Sequence, residues 1–107
     1  MNYISKVFDS ENYVVSINVA ENETYMNIEV FGGSVSIDSD IYFDNDQIET
    51  VDISKYELPI IFSTTNINLT DTEELVEDIN TLRERVRTIN DLVKNYLTSL
   101  EVQEFIK

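Results

Sequence analysis

The spacing of apolar residues changes once along the chain, and this change limits the folds that the chain can adopt. Through much of residues 1–65 apolar side chains recur at every second position, for example over residues 13–19. Within the later residues 71–105, from Leu75 to Leu100, they recur at alternating spacings of four and three. The first spacing is typical of strands with one buried face, and the second is typical of an amphipathic helix. The sequence therefore predicts a β-sheet followed by a helical segment.

Turn-forming residues divide the first part of the chain into strands. Gly32 and Gly33 lie between two alternating runs, which is a hairpin signal, and polar turns occur near residues 20–23 and 44–47. We therefore expect strands near residues 2–8, 12–20, 23–31, 34–43, 48–54 and 58–64. Because the turns are short, these strands should form an antiparallel meander of five or six strands. Pro59 should lie at a strand start or on a sheet edge.

The second part of the chain has the pattern of one long helix. It begins with a capping box over residues 70–73, in which a threonine hydroxyl is followed three residues later by a glutamate. The residues at its eight regularly spaced apolar positions are Leu75, Ile79, Leu82, Val86, Ile89, Val93, Tyr96 and Leu100. Residues 98–101 can cap a separate last helix, so we expect a break near Thr98. The fold class is α+β, in a single domain with a β-sheet part (1–65) and a helical part (71–107).

The eight apolar positions fit two interpretations. They occupy positions a and d of a heptad repeat, which favours a coiled coil between copies of the chain, as a homodimer or trimer. Alternatively, the helix lies across its own sheet, because further apolar residues at 76, 92 and 97 widen the apolar stripe beyond a and d. We expect self-association through the helix and keep packing on the sheet as the alternative.

Composition excludes several classes of chemistry. The 107 residues include 21 acidic and 7 basic residues, for a net charge of −14, and they include no cysteine, histidine or tryptophan. Zinc sites of thiolates or imidazoles, Ser-His-Asp triads and histidine proton shuttles are therefore excluded. The chain also has no glycine-rich phosphate loop, so we expect no enzymatic activity, no catalytic residue and no cofactor. Direct binding of nucleic acid is disfavoured, because a phosphate backbone repels a strongly negative chain.

The acidic residues are concentrated in one segment. The carboxylates that lie within 15 residues, with no basic residue between them, are Asp38, Asp40, Asp44, Asp46, Glu49 and Asp52. Asp38 and Asp40 should share one face of a strand about 6.5–7 Å apart, a spacing similar to that of successive phosphates. Such an array would bind the basic groove of a nucleic-acid-binding protein, with the outward Tyr42 adding an apolar contact. The alternative is a polar face that keeps the chain soluble.

A calcium site is the competing interpretation of the same carboxylates. Asp38-x-Asp40 and Asp44-x-Asp46 resemble fragments of an EF-hand loop. The EF-hand spacing is not met, because Glu49 stands where the loop requires glycine when the count starts at Asp44. We therefore expect no metal site.

The densest apolar run, residues 58–62, is too short to span a bilayer, and the first residues lack the pattern of an export signal. We therefore expect a cytoplasmic protein without a membrane partner. A short, acidic, cysteine-free α+β chain is similar in style to small phage-encoded anti-defence proteins, although no specific motif is shared. Some of those proteins inhibit CRISPR or restriction enzymes by occupying nucleic-acid grooves.

That resemblance implies a non-enzymatic inhibitor that would act in the host cytoplasm. The alternative function is structural, as a virion fibre or adaptor protein assembled through the C-terminal helix.

Overall fold

The computed structural model describes residues 2–62 and 72–107. These residues form a five-stranded antiparallel sheet followed by two helices. The strands are β1 (Tyr3–Asp9), β2 (Tyr13–Ala20), β3 (Glu23–Gly32), β4 (Val35–Asp44) and β5 (Ile60–Phe62), and the helices are α1 (Thr72–Leu97) and α2 (Leu100–Ile106). The strands are arranged in the sheet in their sequence order. The α+β class and the antiparallel meander are thus confirmed.

Side-chain alternation gives the sheet one buried face and one open face. On β2 the buried residues are Val15, Ile17 and Val19, and β3 and β4 continue the same alternation. Helix α1 covers this buried face and adds its own apolar residues to the core. The residues of the opposite, open face are Tyr3, Ser5, Val7, Asp9, Val14, Ser16, Asn18, Ala20, Glu23, Tyr25, Asn27, Glu29, Phe31, Ser36, Asp38, Asp40, Tyr42, Asp44 and Ile61.

The strand predicted at 48–54 is wrong, because Asn45–Thr50 and Ile53–Lys55 form 3₁₀ helical turns instead. The carboxylate of Asp52 accepts hydrogen bonds from the backbone N–H and the hydroxyl of Ser54, a local arrangement that competes with strand pairing. The backbone N–H of Ile53 donates to Asn90 of α1 over 2.9 Å. These bonds turn the segment towards the helix rather than along the sheet.

The last strand of the sheet begins at Ile60, directly after Pro59. This agrees with the prediction that Pro59 lies at a strand start. Strand β5 pairs with β4 through three residue pairs, from Ile37 with Ile60 to Val35 with Phe62.

The helical segment breaks where the sequence predicts. Helix α1 ends at Leu97, and α2 begins at Leu100. Ser99 is the N-cap of α2, and its hydroxyl accepts a hydrogen bond from the backbone N–H of Val102 over 3.4 Å. The predicted capping box includes residues 70 and 71, which lie outside the described residues. Neither helix, over the residues described, is long and apolar enough to cross a membrane.

The apolar stripe of the helices packs mainly on the sheet of the same chain. Its buried members are Leu82, Ile89, Val93 and Tyr96. Leu75, Ile79 and Val86 are half-buried, whereas the Leu100 side chain is 73% exposed. This is the arrangement that the alternative interpretation of the heptad pattern describes. While the chain keeps this fold, a second copy can contact only the half-buried and exposed members of the stripe.

Candidate functional site

The acidic residues of β4 lie on the open face of the sheet. Asp38, Asp40, Tyr42 and Asp44 occupy alternate, exposed positions of the strand. The two aspartates predicted to share a strand face therefore do so. The Tyr42 side chain is 62% exposed, so its ring is accessible beside the carboxylates.

The other three residues of the predicted acidic cluster lie beyond the end of β4. Asp46 and Glu49 are exposed on the 3₁₀ turn Asn45–Thr50, and Asp52 is half-buried against Ser54. The pKa of the Asp52 carboxyl is lowered, mainly by the hydrogen bond from the Ser54 hydroxyl. The structure therefore divides the cluster into a part on the sheet and a part on the turns that follow it.

Carboxylates from neighbouring strands extend the acidic surface. Glu29 of β3 lies directly opposite Asp38, and Glu23 lies directly opposite Asp44. The carboxylates of the described open face are Asp9, Glu23, Glu29, Asp38, Asp40 and Asp44. None of the open-face positions on the described strands carries lysine or arginine. We call the six carboxylate residues of the open face the acidic face.

Lys6, the basic residue of β1, does not lie on the same side of the sheet as the acidic face. It is paired with Ile17, whose side chain is buried on the helix side of the sheet. Its ammonium group lies 5.5 Å from the centre of the Phe8 ring. The lysine is therefore directed away from the acidic face.

Asn27 of β3 bridges two of the carboxylates. Its side-chain amide donates hydrogen bonds to Asp38 over 3.2 Å and to Asp40 over 2.9 Å. The Tyr25 hydroxyl donates a third hydrogen bond to Asp40 over 2.6 Å. These bonds hold the two aspartates in defined positions on the strand. Asn27 was not among the site residues predicted from the sequence, although its outward position between Tyr25 and Glu29 was a usable signal.

The hydrogen bond between Tyr25 and Asp40 shifts the titration of both groups. It is the main cause that raises the pKa of Tyr25 to about 12. The same bond, with that from Asn27, lowers the pKa of the Asp40 carboxyl. At neutral pH the tyrosine is therefore a stable donor and the aspartate a stable anion.

An aromatic pair lies beside the hydrogen-bonded aspartates. Tyr25 and Tyr42 are directly opposite on β3 and β4, with ring centres 4.8 Å apart and an interplanar angle of 49°. Aromatic rings attract guanidinium groups through their electron-rich faces. The open face therefore offers both charge and an aromatic surface to a cationic partner.

The arrangement has an electrostatic cost. Glu29 and Asp38 are like charges at directly opposed positions on neighbouring strands, a placement that destabilises a sheet.

No group of three or more potential metal-ligating side chains occurs in residues 2–62 and 72–107. A shallow depression of about 530 Å³ runs beside Asp38 and Tyr42 towards residues 56–59. The geometry is that of an open binding surface.

Comparison of the chain with protein-family models, with curated proteins and with solved structures finds no match. Any indication of function therefore lies in the geometry and charge of the surface itself.

Proposed function

We propose that the chain is a non-enzymatic inhibitor whose acidic face occupies the basic groove of a nucleic-acid-binding enzyme. The observation that carries this proposal is the presence of six carboxylates and no basic residue on the described open face of the sheet. A groove that binds nucleic acid presents arginines and lysines at positions suited to phosphates. Carboxylates at strand spacing form charge-assisted hydrogen bonds with the same groups.

The internal hydrogen bonds of the acidic face support tight binding. Asn27 and Tyr25 already hold Asp38 and Asp40 in place, so less side-chain freedom is lost when a partner binds. The exposed Tyr42 ring supplies the aromatic anchor that is common at the centre of protein interfaces. The net charge of −14 would also speed the encounter with a basic groove. A phage anti-defence inhibitor of CRISPR or restriction enzymes would act in this way.

The second candidate, a virion fibre or adaptor, depends on the apolar stripe of the helix. Four of the eight positions of the stripe are buried against the chain's own sheet. The stripe therefore supports assembly less strongly than the acidic face supports inhibition, and we propose inhibition rather than assembly.

The experiment compares two variants that each lose four negative charges. In the face variant, Glu29→Gln, Asp38→Asn, Asp40→Asn and Asp44→Asn remove charges from the acidic face. In the control variant, Glu77→Gln, Glu84→Gln, Asp91→Asn and Glu104→Gln remove exposed charges from the helices. DNA cleavage by a panel of purified guide-RNA nucleases and restriction enzymes is measured with each protein.

The unmutated chain and the control variant should inhibit the same enzyme, and the face variant should not. Added competitor DNA and higher salt should both relieve the inhibition, because the interaction is electrostatic. If the folded face variant inhibits as strongly as the unmutated chain, the acidic face is not the inhibitory surface.

A further inference from the structure

A second surface, on the helix side of the sheet, combines apolar side chains with two arginines. An apolar groove of about 410 Å³ lies between β5, residues 53–58 and α1. Its apolar lining includes Ile37, Tyr56, Leu58, Ile60 and Val86. We call this cavity the β5 groove. It lies on the opposite side of the sheet from the acidic face, so the two surfaces are separate.

The strand beside this groove forms an edge of the sheet. Strand β5 pairs with β4 on one side, and no described residue pairs with its other side. An unpaired strand edge offers backbone N–H and C=O groups to an added strand. The Ile61 and Phe62 side chains are 51% and 47% exposed, so this edge is also apolar. Over the described residues, this edge therefore presents both main-chain groups and apolar side chains to solvent.

Two arginines stand on the helix side of the groove. Arg83 and Arg87 are one helical turn apart on α1, and both line the cavity and are exposed. No hydrogen bond or salt bridge joins either guanidinium to another residue within residues 2–62 and 72–107. As far as the described residues are concerned, both guanidiniums can therefore bind an anionic group on a ligand.

We propose that the β5 groove binds an extended segment of a partner protein that carries apolar side chains and a carboxylate. The segment adds as a strand to the outer edge of β5, with which no described residue pairs, a common mode of peptide recognition. Its inward apolar side chains fill the groove beside Leu58 and Ile60. An inward glutamate or aspartate then reaches Arg83 and Arg87 and accepts charge-assisted hydrogen bonds from them.

The groove favours a peptide over a small anionic molecule. Pockets for small ligands enclose most of the ligand surface, whereas this groove is partly open to solvent. The adjacent strand edge supplies main-chain hydrogen bonds that only a polypeptide can use fully. The proposal does not depend on the acidic face, so failure of one leaves the other unaffected.

The test selects binders from a displayed library of short random peptides and maps the selected peptides on the full chain by NMR. The test variant is Arg83→Gln with Arg87→Gln. The control is Lys6→Gln with Lys94→Gln, which removes the same charge from exposed positions outside the groove. Selected peptides should contain an acidic residue two positions from an apolar one. Their amide shift changes should include Ile60, Ile61 and Phe62.

Affinity for the selected peptides should fall by about tenfold or more in the arginine variant, because charge-assisted hydrogen bonds are lost. It should change little in the control variant. The proposal is overturned if the library yields no binder, or if the binders lack acidic residues or bind both variants equally. It is also overturned if octanoate alone reproduces the shift changes at the β5 edge, since that result would identify a small-ligand site.

Discussion

Asp78 of α1 accepts two hydrogen bonds from Ser34, which lies in the turn between β3 and β4. The carboxylate oxygen is 3.0 Å from the Ser34 backbone nitrogen and 2.6 Å from its hydroxyl oxygen. Both hydrogen bonds lower the pKa of the Asp78 carboxyl, and the bond from the Ser34 hydroxyl has the larger effect. The interaction joins the helix to the hairpin that carries much of the acidic face.

Asp78→Ala should lower the free energy of unfolding by about 1 kcal/mol at neutral pH, because the bonds to Ser34 are lost but are partly screened by water. The folded-state pKa of Asp78 is lowered, so its contribution is complete above the unfolded-state pKa, near 4. The contribution is lost as the pH falls through the folded-state pKa. Urea denaturation of both proteins from neutral to acid pH measures this. A difference that stays constant with pH would contradict the assignment.

Gly32 lies against α1 with no space for a side chain. A Cβ atom at this position would be 2.7 Å from Leu82 Cγ and 3.1 Å from the Asp78 carbonyl oxygen. Gly32→Ala should therefore lower the free energy of unfolding by about 1–3 kcal/mol through overpacking. Chemical denaturation measures the loss, and Ser36→Ala on β4 is the control. In a Leu82→Ala background the cost of Gly32→Ala should be smaller; equal costs would show that Leu82 is not the obstacle.

Leu82 and Leu100 belong to the same apolar stripe but differ in environment. Leu82 is fully buried and Leu100 is 73% exposed. Leu82→Ala should cost about 2–5 kcal/mol of unfolding free energy, whereas Leu100→Ala should change it by less than about 0.5 kcal/mol. Denaturation at several protein concentrations, with light scattering, distinguishes the two interpretations of the stripe. A large, concentration-dependent loss with Leu100→Ala would instead indicate a seam between copies.

Tyr25 should titrate near pH 12, because its hydroxyl donates to Asp40. Asp40→Asn should return its pKa towards the ordinary value of about 10. Because the folded-state pKa of Tyr25 is raised, the stability contribution of the pair is complete below about pH 10 and is lost as the pH rises towards 12. NMR titration of the labelled tyrosine ring measures the pKa. The prediction fails if the Asp40→Asn variant leaves it unchanged, and Asp44→Asn serves as the control.

Several features of the fold and the candidate site follow from local patterns in the sequence. The alternation of residues 35–44 predicts that Asp38, Asp40 and Tyr42 share one face, because successive side chains of a strand point to opposite sides. The break near Thr98 is likewise local, since a serine hydroxyl at the cap satisfies a free N–H of the next helix. Such features depend on neighbours in the sequence, and the sequence alone determines them.

Other features depend on contacts between distant residues. The segment 48–54 has residues suited to a strand, but it lies in 3₁₀ turns; besides the local bonds of Asp52 with Ser54, the bond from Ile53 to the distant Asn90 joins it to α1. The register of β3 against β4 brings Asn27 to Asp40 and Glu29 to Asp38. The apolar stripe of α1 could pack against another helix in a coiled coil or against the sheet, because both arrangements need a similar row of apolar side chains. Only the tertiary structure decides these features, since the free energy of the whole fold selects the partner of each surface.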